Sequence, residues 1–562
     1  MSDRPWLNNY DQGVPQHIDF PDISLFQLLS EAAKKYPEST CTIFKGAKIS
    51  FTEMDEISDR LAAGLASIGV RKGDRVGIFM PNTPQFVMAF FAILKLGAIV
   101  VAVNPMYSPR EIEHQTNDAG MEVILVMSNF YNLIKDVQPK TKIRTVVVSN
   151  IKETLPPVLS FLFTLTKEKK DGFRIELAEG DHWMQDLINK FQASDRPQVE
   201  VTPNDEALYQ YSGGTTGISK GAIALHRNLV ANVIQIRSWM VEAKDGQETV
   251  LMALPMFHVY GMVAGMLFGI YTGAALVMIP NPRDVADVLS NAQKYKTTIF
   301  PGVPTLYNLI NNNPEAQAGK YDLSSIKACI SGSAPLMRET KEQFEALTGG
   351  VVFEGYGLSE APTASHCNPL LGENRTGSIG LPLPEVECRI VSLDDEITDL
   401  STGEVGELVI KGPMVMKGYH NMPTETANTL RDGWLHTGDI ARMDSDGYFY
   451  IVDRKKELIK PGGYQVWPRE VEEVICDNPK VLEVGVAGVP DPYRGETVKA
   501  WIVVKPGETL TEEEIKAWCS EKLAKFKVPT LVEFRDELPK TTVGKILRRE
   551  LVREHKEGAA EA

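Results

Sequence analysis

Cysteine is scarce in this chain: six residues in 562, at positions 41, 329, 367, 388, 476 and 519. None stands in a Cys-x-x-Cys spacing and no histidines gather beside them. That argues against a structural zinc site or a disulfide framework and fits thiols kept reduced in a cytoplasm. Basic charge is short as well, with 59 Lys and Arg against 74 Asp and Glu and a net charge of −15. A nucleic-acid partner is therefore not expected, because neutralising phosphates requires a surplus of Lys and Arg. Long apolar runs are few. Phe86–Val103 comes nearest to one, but Lys95 and Gly97 divide it. It predicts a buried helix ending near Gly97 and a strand over Ala98–Val103, not a membrane span. Met1–Gln16 is polar, so no signal peptide is expected. The ending Gly-Ala-Ala-Glu-Ala carries no peroxisomal or lipidation motif, and a carrier domain is not expected. Neither an internal repeat nor a low-complexity stretch interrupts the chain.

What is present is ordinary for a soluble globular protein, 43% hydrophobic and 24% charged. The length exceeds one ordinary core and predicts several domains. The most informative stretch is Tyr211-Ser-Gly-Gly-Thr-Thr-Gly-Ile-Ser-Lys-Gly221, which directly follows the apolar run Leu208–Tyr211. Its glycines let backbone N–H groups approach an anion, its hydroxyls add donors and Lys220 adds a positive charge, which together make a phosphate cradle. The Gly-x4-Gly-Lys-Ser/Thr spacing is missing, because Gly221 follows the lysine; that counts against a P-loop kinase or ATPase. Four further apolar runs end in loops of small or polar residues: Val250–Leu254, Thr298–Phe300, Ile326–Ile330 and Val351–Phe353. Segments of helical spacing lie between them, among them 228–240, 285–295 and 337–347. Strands alternating with helices imply parallel pairing, with all five loops converging on one cleft beyond the strand ends.

Four more motifs follow the cradle in order: Tyr356-Gly-Leu-Ser-Glu360, Trp434-Leu-His-Thr-Gly-Asp439, Asp453-Arg-Lys-Lys-Glu-Leu-Ile-Lys460 and Pro539-Lys-Thr-Thr-Val-Gly-Lys545. With these, the chain from about Ile23 to about Arg549 resembles the adenylate-forming (AMP-binding) family of acyl-CoA synthetases, luciferases and peptide-synthetase adenylation domains. The overall likeness is to bacterial and archaeal long-chain acyl-CoA synthetases. Two departures are small: Ser219 stands where the family usually has proline, and Ser359 where threonine is commoner. Both keep their loops polar.

The resemblance implies an α/β protein with a large N-terminal domain, 1–453, of layered α/β subdomains and a small β-barrel-like part at about 370–450. A hinge region at 454–463 and a mobile α+β C-terminal domain at 464–562 follow. It implies an ATP-dependent, AMP-forming ligase that activates a medium- or long-chain fatty acid as the acyl-adenylate and transfers it to coenzyme A. The alternatives are an aryl-CoA ligase of the coumarate type and a non-CoA acyl-adenylate-forming enzyme. Ser212, Gly213, Gly214, Thr215, Thr216, Gly217 and Lys220 would hold the ATP phosphates. Glu360, helped by Thr216, would bind Mg²⁺, and Ser359 would contact the α-phosphate. Gly332, Ser333, Ala334 and Pro335, with Glu354, Gly355, Tyr356 and Gly357, would form the adenine slot. Asp439 and Arg454 would hold the ribose. Lys545 would act on the α-phosphate and the attacking carboxylate, and Lys456 would be the pivot that withdraws it. Rotation would then bring Lys460 and Gly463 to the cleft. His258 would close the carboxylate end of the acyl site, with Val259, Tyr260, Gly261, Met262, Gly265, Gly302 and Val303 around the acyl chain and the thiol.

Gly261, Gly265 and Gly269 recur every four residues and on an α-helix would share a face. That face would be either close packing or bare backbone left open for an acyl chain. Leu155–Leu165, followed by Lys167, Lys169 and Lys170, also leaves two readings: a helix docked on the domain surface, or a shallow membrane contact over 155–170. The expected partners are ATP, fatty acid and CoA, with a homodimer compatible with the sequence. The expected location is cytoplasmic, with peripheral attachment to the inner membrane face under the second reading.

Overall fold

The computed structural model describes residues 4–212, 219–464, 466–541 and 544–561. Two compact units emerge, one from Trp6–Glu387 with Lys411–Leu435, the other mainly from Cys388–Ile410 with His436–Ala562. The architecture is mixed α/β, as expected from the alternation of apolar runs and helical segments.

The larger unit contains an eight-stranded sheet. Its central strands Glu206–Ser212, Ile99–Ala102, Arg75–Phe79, Val123–Met127 and Thr145–Ser149 run parallel in that order. The last four are rich in apolar β-branched residues and fully or almost fully buried, as strands covered on both faces must be. The divided apolar run before them resolves as expected into the helix Pro84–Lys95 and the strand Ile99–Ala102, with Gly97 at φ 65° turning the chain between them. Lys95, 1% exposed, is compensated by Asp55 at 2.7 Å and Asp59 at 2.8 Å. A buried ammonium is tolerable only with such partners.

A second set of strands carries the other four expected runs. Thr249–Met252, the bridge residue Ile299, Ala328–Ser331 and Val351–Leu358 lie side by side in chain order, each parallel to the next. Their carboxyl ends therefore open at one edge. The intervening helices are His226–Trp239, Val285–Tyr295 and Arg338–Thr348, within two residues of the segments predicted.

In the smaller unit, strands Glu387–Val391, Gly406–Lys411, Trp434–Met443 and Phe449–Arg454 belong to one sheet. The C-terminal part is α+β: a three-stranded sheet of Val481–Asp491, Gly495–Val504 and Leu531–Phe534 with helices Pro468–Cys476, Glu512–Ser520 and Arg548–Glu561. Val471, Ile475, Val486, Ala500 and Ile515 form its core. Thr511 and Glu514 make the capping box that their spacing predicts. That helix stops at Ser520, and the chain turns before Phe526 packs on Tyr464 at 4.6 Å.

Candidate active site

In the larger unit the site is built on strand ends. Ser212 closes one strand and Lys220 opens the next, paired antiparallel with Ser212 opposite Lys220 and Tyr211 opposite Gly221. The cradle is thus the connection of a β-hairpin, unlike a P-loop, which leads into a helix. Gly213, Gly214, Thr215, Thr216 and Gly217 lie outside the described residues. Lys220 pairs with the Glu425 carboxylate and sits over the Tyr419 ring, 5.2 Å from its centroid. Tyr419 donates its hydroxyl to Glu360 Oε1 at 2.8 Å. One side chain therefore touches both the cradle lysine and the expected metal carboxylate. Glu360 fits a Mg²⁺ ligand: a hard carboxylate oxygen next to the cradle strand, oriented by Tyr419, with phosphate oxygens and water left to complete the shell.

The turn Ser359–Glu360 joins Val351–Leu358 to the antiparallel strand Ala361–Cys367. Gly357 has no room for a side chain, since a Cβ there would lie 1.4 Å from the Thr363 carbonyl oxygen. Tyr356 stands edge-on to the buried His366, with ring centroids 5.8 Å apart. Glu354 is buried on the same strand, opposite Ser331. Gly332, Ser333, Ala334 and Pro335 follow that neighbouring strand, and Ser333 takes a left-handed φ of 69°. Non-glycine residues in that region cost free energy and cluster at functional sites.

His258 lies at the foot of a helical segment. Tyr260 N–H donates to His258 Nδ1 at 3.2 Å, so the imidazole proton sits on Nε2. Burial lowers the proton affinity of the ring to about 4, which keeps it neutral at physiological pH. Tyr260–Leu267 forms a π-helix, not the α-helix implied by the glycine spacing. Its Gly261 and Gly265, and Gly269 in the α-helix Phe268–Thr272 that follows, face neighbouring structure. A Cβ at Gly261 would lie 2.3 Å from the Pro255 carbonyl oxygen, one at Gly265 would lie 2.8 Å from Met252 Cε, and one at Gly269 would lie 2.4 Å from Leu276 Cδ2. These three positions are a packing face. Val259, Met262 and Val303 are buried beside them. Tyr260 donates its hydroxyl to the carbonyls of Ile330 at 2.7 Å and Gly302 at 3.1 Å, stapling two of the converging loops. Tyr307 fills the space over Gly302, where a Cβ would meet its ring at 2.6 Å.

Residues in the smaller unit supply a second group. Asp439 and Arg454 face each other on paired strands, with Arg454 Nε 2.9 Å from Asp439 Oδ1. Lys545 is half-buried within electrostatic reach of Arg454, Asp439, Asp453 and Glu472, and burial followed by repulsion from Arg454 lowers its proton affinity to about 8. The structure thus brings Asp439, Arg454 and Lys545 together, although Lys545 lies 91 residues beyond Arg454 in the chain. Lys456 and Lys460 are exposed in the turns that follow, and Gly463 ends the turn Pro461–Gly463. Lys460 N–H donates to Glu496 Oε2 at 2.9 Å. Among the described residues, one set of three metal-ligating side chains converges, Glu396, Glu407 and His436. Lys455 already sits on both carboxylates, so an ammonium holds that place.

Three structural residues carry no mark in the sequence. Buried Asn82 donates to the carbonyls of Met252 at 2.8 Å and Leu254 at 2.7 Å and accepts from Met256 N–H at 2.8 Å, pinning the loop before His258. Tyr419 and Arg548 are the others. Each partner is remote in sequence, and no local pattern signals the pairing.

Residues 29–420 match the AMP-binding enzyme family, and residues 470–545 match the C-terminal domain of AMP-binding enzymes. The chain is 42% identical over 559 residues to a long-chain-fatty-acid–CoA ligase of Bacillus subtilis (strain 168), covering 99% of each. An anthranilate CoA ligase solved in complex with anthranoyl-AMP superposes with a TM-score of 0.84 at 27% identity, covering 96% of this chain and 98% of that one. A fatty acyl CoA synthetase of Mycobacterium tuberculosis gives a TM-score of 0.73 at 26% identity, covering 95% and 99%. Two family domains in order over most of the chain, a relative aligned end to end and the shared fold lead to one conclusion: the chain belongs to the AMP-binding enzyme family, the adenylate-forming enzymes.

Proposed function

We propose that this chain is an ATP-dependent, AMP-forming fatty acid–CoA ligase acting on medium- or long-chain acids. A carboxylate is a poor acyl donor because it carries no good leaving group. Attack of its oxygen on the ATP α-phosphorus expels pyrophosphate and installs AMP as that group, after which the CoA thiol attacks the acyl carbonyl and releases AMP. Both steps concentrate negative charge, so cations and oriented donors matter more than acid–base groups. The observation that carries the proposal is the Asp439–Arg454 pair with Lys545 within its electrostatic reach, a cation near a carboxylate suited to the ribose hydroxyls. Family membership and the curated ligase aligned over the whole chain support the same activity.

Roles for the other residues follow. Residues 212–217 and Lys220 hold the β- and γ-phosphates; Glu360, with Thr216, holds Mg²⁺, which when bound neutralises phosphate charge. Tyr356 stacks on adenine, and Ser359 meets the α-phosphate. Neutral His258 closes the carboxylate end of the acyl site with Nε2–H as a donor. Lys456 is the pivot of a hinge at 454–463, and rotation there exchanges Lys545 for the face bearing Lys460 and Gly463. The acceptor is CoA. The test is pyrophosphate release over a panel of aliphatic and aromatic carboxylic acids, each with and without CoA, with AMP and the acyl product identified by mass. Turnover restricted to aromatic acids would replace this proposal with an aryl-CoA ligase. AMP formed without any thioester would point to a non-CoA adenylating enzyme.

A membrane contact is part of the same proposal. No helix of the described residues is long and apolar enough to cross a membrane. The helix Pro157–Thr166, however, has no buried residue, and Val158, Leu159, Phe161, Leu162 and Leu165 are 43% to 71% exposed. Exposed Lys167, Lys169 and Lys170 follow it. An apolar face beside a basic cluster suits the surface of an anionic bilayer, from which a poorly soluble acid could be collected.

A further inference from the structure

Arg548 spreads one guanidinium over three carboxylates. It opens the helix Arg548–Glu561, three residues beyond Lys545. Nε donates to Glu472 Oε1 at 3.0 Å and one terminal nitrogen to Glu472 Oε2 at 2.5 Å. The other terminal nitrogen lies 3.5 Å from Asp453 Oδ1 and also contacts the Glu457 carboxylate. All four side chains are at most 18% exposed. Asp453 has further duties: Oδ1 accepts from Arg454 N–H at 2.7 Å, and Oδ2 accepts from Arg469 N–H at 2.7 Å at the start of the helix Pro468–Cys476. The carboxylates thus come from three elements: the end of the strand Phe449–Arg454, the turn Lys455–Glu457 and that helix. Asp453 and Glu472 also act electrostatically on Lys545, raising its proton affinity.

We infer that Arg548 is a positioning residue for Lys545 and a latch across the hinge, holding the arrangement in which Lys545 stands beside Asp439 and Arg454. The inference rests on the ligase reading and on a pivot at Lys456. Asp453 precedes that pivot, whereas Glu457, Glu472 and Arg548 follow it. Rotation there must part Arg548 from Asp453 while its fork on Glu472 travels with it. The latch is therefore made in one state and broken in the other, as a two-state element requires. Arg548 also occupies carboxylates that would otherwise compete for the Lys545 ammonium. A guanidinium suits this because its fork serves several oxygens at once, which a lysine cannot match.

The test compares wild type, Lys545→Ala, Arg548→Gln and Arg548→Lys in the two half-reactions, with limited trypsin digestion of the full chain as a second readout. Loss of a charge-assisted contact made in one state is expected to slow adenylation about 10- to 100-fold in Arg548→Gln. Thioester formation from supplied acyl-adenylate and CoA should stay within about twofold on the same grounds. Arg548→Lys should fall between. Cleavage after Arg454, Lys455 or Lys456, followed by mass, should be faster in Arg548→Gln than in wild type. Should Arg548→Gln fail to fold, Glu457→Gln removes one arm of the fork and is expected to show the same asymmetry at smaller amplitude. Equal slowing of both half-reactions with unchanged hinge cleavage would overturn the latch. If wild type forms neither pyrophosphate nor thioester, the ligase reading itself fails; if Lys545→Ala slows both half-reactions alike, the division of labour on which the latch rests fails. When those two behave as expected, a negative result at Arg548 counts against the latch alone.

Discussion

Burial and the neighbouring Arg454 lower the proton affinity of Lys545 to about 8, while Asp439, Asp453 and Glu472 oppose that shift. In the role proposed for Lys545 the ammonium form is the useful one, because negative charge would develop on the α-phosphate. In the free enzyme that form predominates below pH 8 and is lost as pH rises through it. The adenylation kcat/KM should therefore fall above about pH 8, since this ratio reports the free enzyme's groups. Lys545→Arg should remove that limb, whatever its absolute rate, because a guanidinium stays charged. An unchanged limb in the arginine variant would assign the titration elsewhere. His258 adds nothing to the profile near neutrality, as it is already neutral there. At this scale the sequence shows a residue's identity well and its partners poorly. Asp439, Arg454 and Lys545 stand out in linear motifs. Asn82, Tyr419 and Arg548 act through residues 170, 59 and 95 positions away, and no periodicity encodes such distances.

At the scale of elements, three parallel strands and the bridge residue Ile299 line up side by side as the alternating pattern predicts, because burial on both faces leaves a near-continuous apolar signature. The segment Tyr260–Leu267 was less legible. Its glycine spacing of four suits one face of an α-helix, whereas the chain forms a π-helix whose Gly261 meets the Leu254 and Pro255 carbonyls and whose Gly265 meets the Met252 side chain, with Gly269 against Leu276 in the α-helix that follows. Gly261→Ala would press a methyl group onto fixed backbone and should destabilise the fold by about 1–3 kcal/mol or more. Gly265→Leu meets a flexible methionine end but adds far more volume. It should lower the melting temperature and leave the chain-length preference unchanged. A shift to shorter acids at unchanged melting temperature would instead place the acyl channel along this face.

For the whole molecule, the order of motifs made the two-part organisation legible, and the acidic composition argued against nucleic acid as a partner. The exposure of Val158, Leu159, Phe161, Leu162 and Leu165 on one helix was not legible in the sequence, because an apolar decapeptide reads equally as core. Replacing Phe161 and Leu165 with serine should weaken binding to anionic vesicles about tenfold, with turnover of a short soluble acid unaffected. Unaltered vesicle binding would remove the membrane from the mechanism. In that mechanism one half-buried lysine, carried on a part that moves, serves the first of two steps, and both half-reactions measured in Lys545→Ala decide whether it does. Loss of one well-placed donor to a charged transition state, ~3–4 kcal/mol, should slow pyrophosphate release by about 10²–10³-fold. Supplied acyl-adenylate and CoA should still give thioester at nearly the wild-type rate, whereas comparable loss in both halves would contradict this division of labour.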